Sequence, residues 1–129
     1  VIPEDTAPTA ASRAALPSSV AHADAAFTAG RATLLGAALA GGSVELFAEA
    51  LVDRLHEPYR AAGAPLLGAV REALPAGAVG ATLSGSGPSV IVWARDGDAA
   101  SCEAELRERF PGECVLRMGV ATLGAGEAP

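Results

Sequence analysis

The residues best suited to chemistry in this 129-residue chain form the turn Ser84-Gly85-Ser86-Gly87-Pro88-Ser89. Glycine at alternate positions permits left-handed backbone and close approach, so successive N–H groups can converge on an anion. The serine hydroxyls add donors, and Pro88 stiffens the exit. A phosphate or a carboxylate suits such a turn, although the same residues also make an ordinary hairpin. No lysine follows it and the next segment is β-prone, which excludes a Walker A loop and a dinucleotide fingerprint.

Composition narrows the chemistry further. The net charge of −6 argues against nucleic acid as a main partner, since neutralising phosphates needs a basic face. All nine basic residues are Arg, so no lysine is present to form a Schiff base. The two cysteines, Cys102 and Cys114, make neither a disulfide framework nor a zinc site. No apolar run approaches the ~18 residues of a membrane span, and a soluble, cytoplasmic protein is the expectation. Val1-Ile2-Pro3 starts without Met and reads as the end of a strand, so the chain is expected to be cut from a longer protein.

The elements that must position the turn follow from period and punctuation. Residues 4–18 read as an extended loop with a helical stretch near Ala10–Leu16. A helix from about Ala21 places Phe27, Leu34, Leu35, Ala38 and Leu39 on one face and stops at Gly41-Gly42. Ser43 caps a second helix, expected to carry Leu46, Phe47, Ala50, Leu51 and Leu55 and to end before Pro58. A third follows Pro65, with Leu66, Leu67, Val70 and Leu74 in register, and is closed by Pro75. Ala78–Leu83 and Ser89–Ala94 are β-prone runs on either side of the turn. Asp98 is expected to cap a helix from Ala99 to about Phe110, and Cys114–Thr122 reads as a last strand before a loose tail, Gly124–Pro129. The order predicts an α+β two-layer sandwich, a mostly antiparallel sheet covered by helices.

Gly80-Ala81-Thr82-Leu83-Ser84-Gly85-Ser86-Gly87-Pro88-Ser89 resembles the third signature of the GHMP kinases, the galactokinase–homoserine kinase–mevalonate kinase–phosphomevalonate kinase superfamily. Asp53-Arg54-Leu55-His56-Glu57-Pro58-Tyr59-Arg60 is similar to the D-R-L-H-x-P-Y-R stretch of homoserine kinases, with Glu57 where Gln is common. Thr9–Pro17 is similar to their T-x-x-x-R-x-x-L-P, and Asp24–Arg31 to their D-A-x-F-N-x-x-R, with Thr28 in place of Asn. The four blocks keep that family's order and cover most of residues 1–95.

The resemblance implies a ferredoxin-like GHMP carboxy-terminal domain over residues 1–129, the amino-terminal ATP-binding domain lying outside the chain. It implies transfer of the ATP γ-phosphoryl group to the hydroxyl of L-homoserine, a step toward threonine, and allows a homodimer of the full-length enzyme. Thr9, Arg13, Arg60 and Gly85 match the family's substrate-binding positions, the turn Ser84, Gly85, Ser86, Gly87, Pro88, Ser89 forming a backbone wall. For the arginines the other reading is a solvated surface side chain, and for Thr9 a helix cap. ATP and Mg²⁺ are expected to be held mainly by the half that lies outside, which leaves the catalytic residues unassigned here and the chain alone inactive. His56 reads as a hydrogen-bonding residue rather than a base, His22 as surface, and Arg31 and Arg54 as partners of nearby carboxylates. Another GHMP small-molecule kinase, of mevalonate or sugar type, or a non-catalytic ligand-binding module are the alternatives.

Overall fold

The computed structural model of the chain describes residues 1–5 and 8–121. Its centre is the hairpin of β1 (Ala78–Leu83) and β2 (Val90–Ala94), with Leu83 opposite Val90 and Ala81 opposite Val92. Val1 extends this sheet past β2: it exchanges hydrogen bonds of 2.7 and 2.9 Å with Val90. Ile2 then pairs antiparallel with Cys114 through bonds of 2.8 and 3.0 Å. The expected last strand is reduced to that bridge. Val115 is buried, but its carbonyl is taken by the Arg107 guanidinium at 2.7 Å, and Leu116, Met118 and Val120 are exposed. Thr122 and the tail Gly124–Pro129 lie outside the described residues.

Six helices surround the sheet among the described residues: α1 (Thr9–Ala14), α2 (His22–Gly41), α3 (Val44–Ala50), α4 (Glu57–Arg60), α5 (Pro65–Glu72) and α6 (Ala99–Arg109). Gly42 stops α2 by adopting φ 67°, a conformation that costs glycine little, and the Ser43 N–H closes onto the Ala38 carbonyl at 3.1 Å. Ser43 Oγ accepts from the Leu46 N–H at 3.3 Å and so starts α3.

Three expectations about helix ends need correction. α3 stops at Ala50, short of Pro58, because the Asp53 side chain organises the following backbone into a turn (below). α5 ends at Glu72, which leaves Leu74 beyond it and exposed. Asp98 stands at the start of α6 but its side chain caps nothing; it packs over Gly77, whose φ of +81° and lack of a Cβ admit it.

The sheet has two unlike faces. Ala81, Val90 and partly buried Leu83 and Val92 pack against Leu66, Leu67 and Val70 of α5, Leu106 of α6 and Val115, giving one apolar core. Arg109 of α6 joins the layer by donating to the carbonyls of Ala69 and Ala73 at the end of α5. On the reverse face Trp93 meets Phe47 of α3 edge-on, ring centroids 5.2 Å apart. An apolar cleft of about 850 Å³ opens beside that pair, between α2, α3, β2, α6 and residues 115–120. Leu39, expected on the apolar face of α2, stands at this cleft and is 68% exposed.

Candidate functional site

The site grows from a turn of backbone around one carboxylate. Asp53 accepts the N–H groups of Leu55 at 3.1 Å and of His56 and Glu57 at 2.7 Å each. A short acceptor side chain placed just ahead of a helix satisfies donors that have no carbonyl behind them. The four-residue helix α4 begins there with Pro58 in its first turn, where a missing N–H costs nothing. Burial raises the Asp53 carboxyl, but the three N–H groups and the His56 ring, 3.2 Å away, outweigh it and hold the group below the usual aspartate value. His56 is therefore a hydrogen-bonding residue, as its place before a proline led one to expect.

α4 carries two charged residues to the hairpin. Arg60, at its end, donates from Nε to the Ser12 carbonyl at 3.4 Å and from Nη1 to the Gly85 carbonyl at 3.2 Å. Glu57, at its start, accepts the Leu83 N–H on Oε1 at 3.0 Å and pairs through Oε2 with Arg71 Nη2 at 2.8 Å. Arg71, from α5, also donates from Nε and Nη2 to the Ala81 carbonyl at 3.0 and 2.7 Å.

The glycine-rich turn is compact. The Ser84 N–H reaches the Ser89 carbonyl at 2.8 Å and the Gly87 N–H reaches the Ser84 carbonyl at 3.0 Å. Gly85 and Gly87 have φ of 60° and 77°, the left-handed region that glycine alone enters cheaply. A Cβ on Gly85 would meet nothing within 4 Å, so that side of the turn is open. Among the described residues the N–H groups of Gly85 and Ser86 have no acceptor, so two backbone donors remain for a ligand.

The sequence-nominated residues are placed unequally. Arg60 and Gly85 are in contact. Thr9 and Arg13 lie on α1, at its first residue and in its last turn, and both are exposed. Thr9 caps nothing, since the position ahead of α1 is Pro8 and no side chain caps that end. Neither side chain has a hydrogen bond or ion pair among the described residues; α1 reaches the turn through the buried Ser12, whose carbonyl Arg60 takes. Arg31 and Arg54 pair with Glu49 and Asp24 at 3.0 and 3.3 Å, and both guanidinium groups stack on Phe27. The Thr28 hydroxyl accepts the Arg54 N–H at 3.3 Å, which is what this position contributes in place of an amide. Asp53, Glu57 and Arg71 were not nominated. Asp53 carried a legible signal, an Asp just ahead of a proline-bearing helix start, whereas Glu57 and Arg71 acquire a role only once the edge of β1 is known.

The comparisons with known proteins identify the family and the fold. Residues 26–112 match the family "GHMP kinases C terminal". The chain belongs to that family. It is 44% identical over 103 residues to a homoserine kinase of Solibacter usitatus, which covers 80% of this chain and 34% of that protein. It is 41% identical over 120 residues to one of Gloeobacter violaceus, covering 92% of this chain and 40% of the relative. With one of Streptomyces avermitilis it shares 39% identity over 128 residues, covering 99% and 41%. The crystal structure of homoserine kinase from Cytophaga hutchinsonii superposes with a TM-score of 0.76 at 29% identity, over 84% of this chain and 35% of that one. The chain thus spans between about a third and two fifths of the relatives it matches. This GHMP carboxy-terminal domain is α+β, and no described helix is long and apolar enough to cross a membrane.

Proposed function

We propose that this chain is the carboxy-terminal, substrate-side part of a homoserine kinase, which transfers the ATP γ-phosphoryl group to L-homoserine and yields O-phospho-L-homoserine and ADP. The observation that carries the reading is Arg60, which ties α1 to the tip of the turn with two of its five N–H donors. The remaining donors suit the paired oxygens of an amino-acid carboxylate. Arg13 and Thr9 stand on the helix so tied and join the same substrate from its exposed side. Gly85 and Ser86 present N–H groups to the substrate and the transferring phosphate.

In the transfer, the homoserine hydroxyl oxygen attacks the γ-phosphorus, the bond to the bridging oxygen of ADP breaks, and the hydroxyl proton is released. Such chemistry depends chiefly on positioning and charge. The donors found here, N–H groups and a guanidinium, fit an anion and repel a cation. Mg²⁺ is accordingly assigned to the part of the enzyme outside this chain, where it would neutralise phosphate charge; ATP is assigned there as well, as the resemblance to the GHMP kinases implies. Substrates dissolved in the cell interior agree with a cytoplasmic location.

A coupled ADP-release assay tests the reading. The complete enzyme containing this chain is expected to release ADP in a homoserine-dependent way, and the 129-residue chain alone to release none. ADP release by the complete enzyme with no dependence on homoserine would overturn the substrate assignment, and robust turnover by the chain alone would overturn the assignment of half a site.

A further inference from the structure

The outer edge of β1 exposes backbone groups that no strand covers among the described residues. In an antiparallel hairpin the N–H and carbonyl groups of alternate residues point away from the partner. With Ser84 bonded inward to Ser89, the outward-facing residues are Ala81 and Leu83. Unpaired edge groups of this kind are commonly covered or blunted. Here two of them are covered by oppositely charged side chains: Arg71 takes the Ala81 carbonyl and Glu57 takes the Leu83 N–H, and the two side chains are joined at 2.8 Å.

The place of these bonds matters more than their number. Leu83 is the last residue before the glycine-rich turn, and Glu57 is the first residue of α4. Arg60, the last residue of the same single turn of helix, meets Gly85 at the tip. A four-residue helix has almost no stability of its own, so its position is set by what its ends hold. The Glu57 side chain is 11% exposed, which shields its contacts from competing water.

We infer that Glu57, braced by Arg71, is a positioning residue that clamps α4 to the base of the turn and thereby sets where the Arg60 guanidinium meets the substrate. The inference rests on the substrate reading above for its kinetic consequence but not for its structural one. Small misplacements of a binding group are costly, because the productive geometry is narrow.

Two variants of the complete enzyme test it, Glu57→Ala and Glu57→Gln. Glu57→Ala is expected to raise the homoserine KM about tenfold, leave the ATP KM within twofold, and speed amide exchange at Leu83, Ser84 and Gly87, the hydrogen-bonded amides of the turn. Glu57→Gln keeps an oxygen for the Leu83 N–H while giving up the ion pair with Arg71, and is expected to recover most of the homoserine KM. A homoserine KM unchanged in Glu57→Ala, or equal losses of both KM values and of thermal stability in the two variants, would overturn the clamp. If the wild-type enzyme releases no ADP with homoserine, the substrate reading falls by itself. The exchange data then decide: acceleration confined to residues 83–87 sustains the clamp, and uniform acceleration or none sinks it.

Discussion

The turn end of the β1–β2 hairpin and the face covered by α5 and α6 are held by opposite kinds of force. At the turn, Glu57, Arg60 and Arg71 each bond to a backbone group of the hairpin, and Asp53 shapes the helix that carries two of them. On the covered face, Leu66, Leu67, Val70, Val90, Leu106 and Val115 meet with no polar side chain among them. Apolar burial has no direction and scales with area, so it fixes how stable the domain is. Charge-assisted hydrogen bonds are directional and so fix where a group sits. The division predicts that stability and substrate affinity respond to different substitutions.

The largest effect should come from the covered face. Leu67 is 5% exposed, and Leu67→Ala is expected to cost about 2–5 kcal/mol of unfolding free energy, read by urea denaturation. The homoserine KM of whatever enzyme remains folded should stay within about twofold, since no group at the turn is touched. A Leu67→Ala enzyme that kept its stability and lost its affinity would break the division.

A smaller effect is expected at Asp53, where Asp53→Ala removes an acceptor shared by three N–H groups and should cost about 1 kcal/mol at neutral pH. Its carboxyl is held below the ordinary value in the folded state. The sign follows: a depressed carboxylate stabilises at pH above its unfolded value near ~3.9, and that contribution disappears as pH falls through the folded value. Melting curves of wild type and Asp53→Ala should therefore differ at pH 7 and converge below that range. A gap that persists in strong acid would show that the carboxylate is not what holds the turn.

Local signals in the sequence found β1, the turn, α6 and the caps at Gly42 and Ser43, because each is decided by residues within a few positions of one another. Side-chain acceptors were harder to see. The stripe Leu46–Leu55 reads as one helix by period, yet Asp53 offers the backbone a better acceptor than the helix does, and the chain breaks after Ala50. Cys114–Thr122 has strand-like residues, but a strand needs a neighbour, and beyond Cys114 Arg107 occupies the first carbonyl. At the site, Arg60 and Gly85 were legible as residues of the right chemistry; their contact was not, since 25 positions separate them. Glu57 lay in a motif only at its variable position and Arg71 in none, and neither role was legible, because their partners are backbone atoms of a strand edge that exists only in the fold.

The central claim is that Arg60 holds the carboxylate of homoserine. Steady-state kinetics of Arg60→Ala in the complete enzyme test it directly, with homoserine and ATP varied separately. A hydrogen bond to a charged group is worth about 1.5–3 kcal/mol, so the homoserine KM should rise between about tenfold and a hundredfold. The ATP KM should stay within about twofold, and Arg60→Lys should restore little, because an ammonium cannot match two carboxylate oxygens as a guanidinium does. A homoserine KM left unchanged by Arg60→Ala would contradict the account.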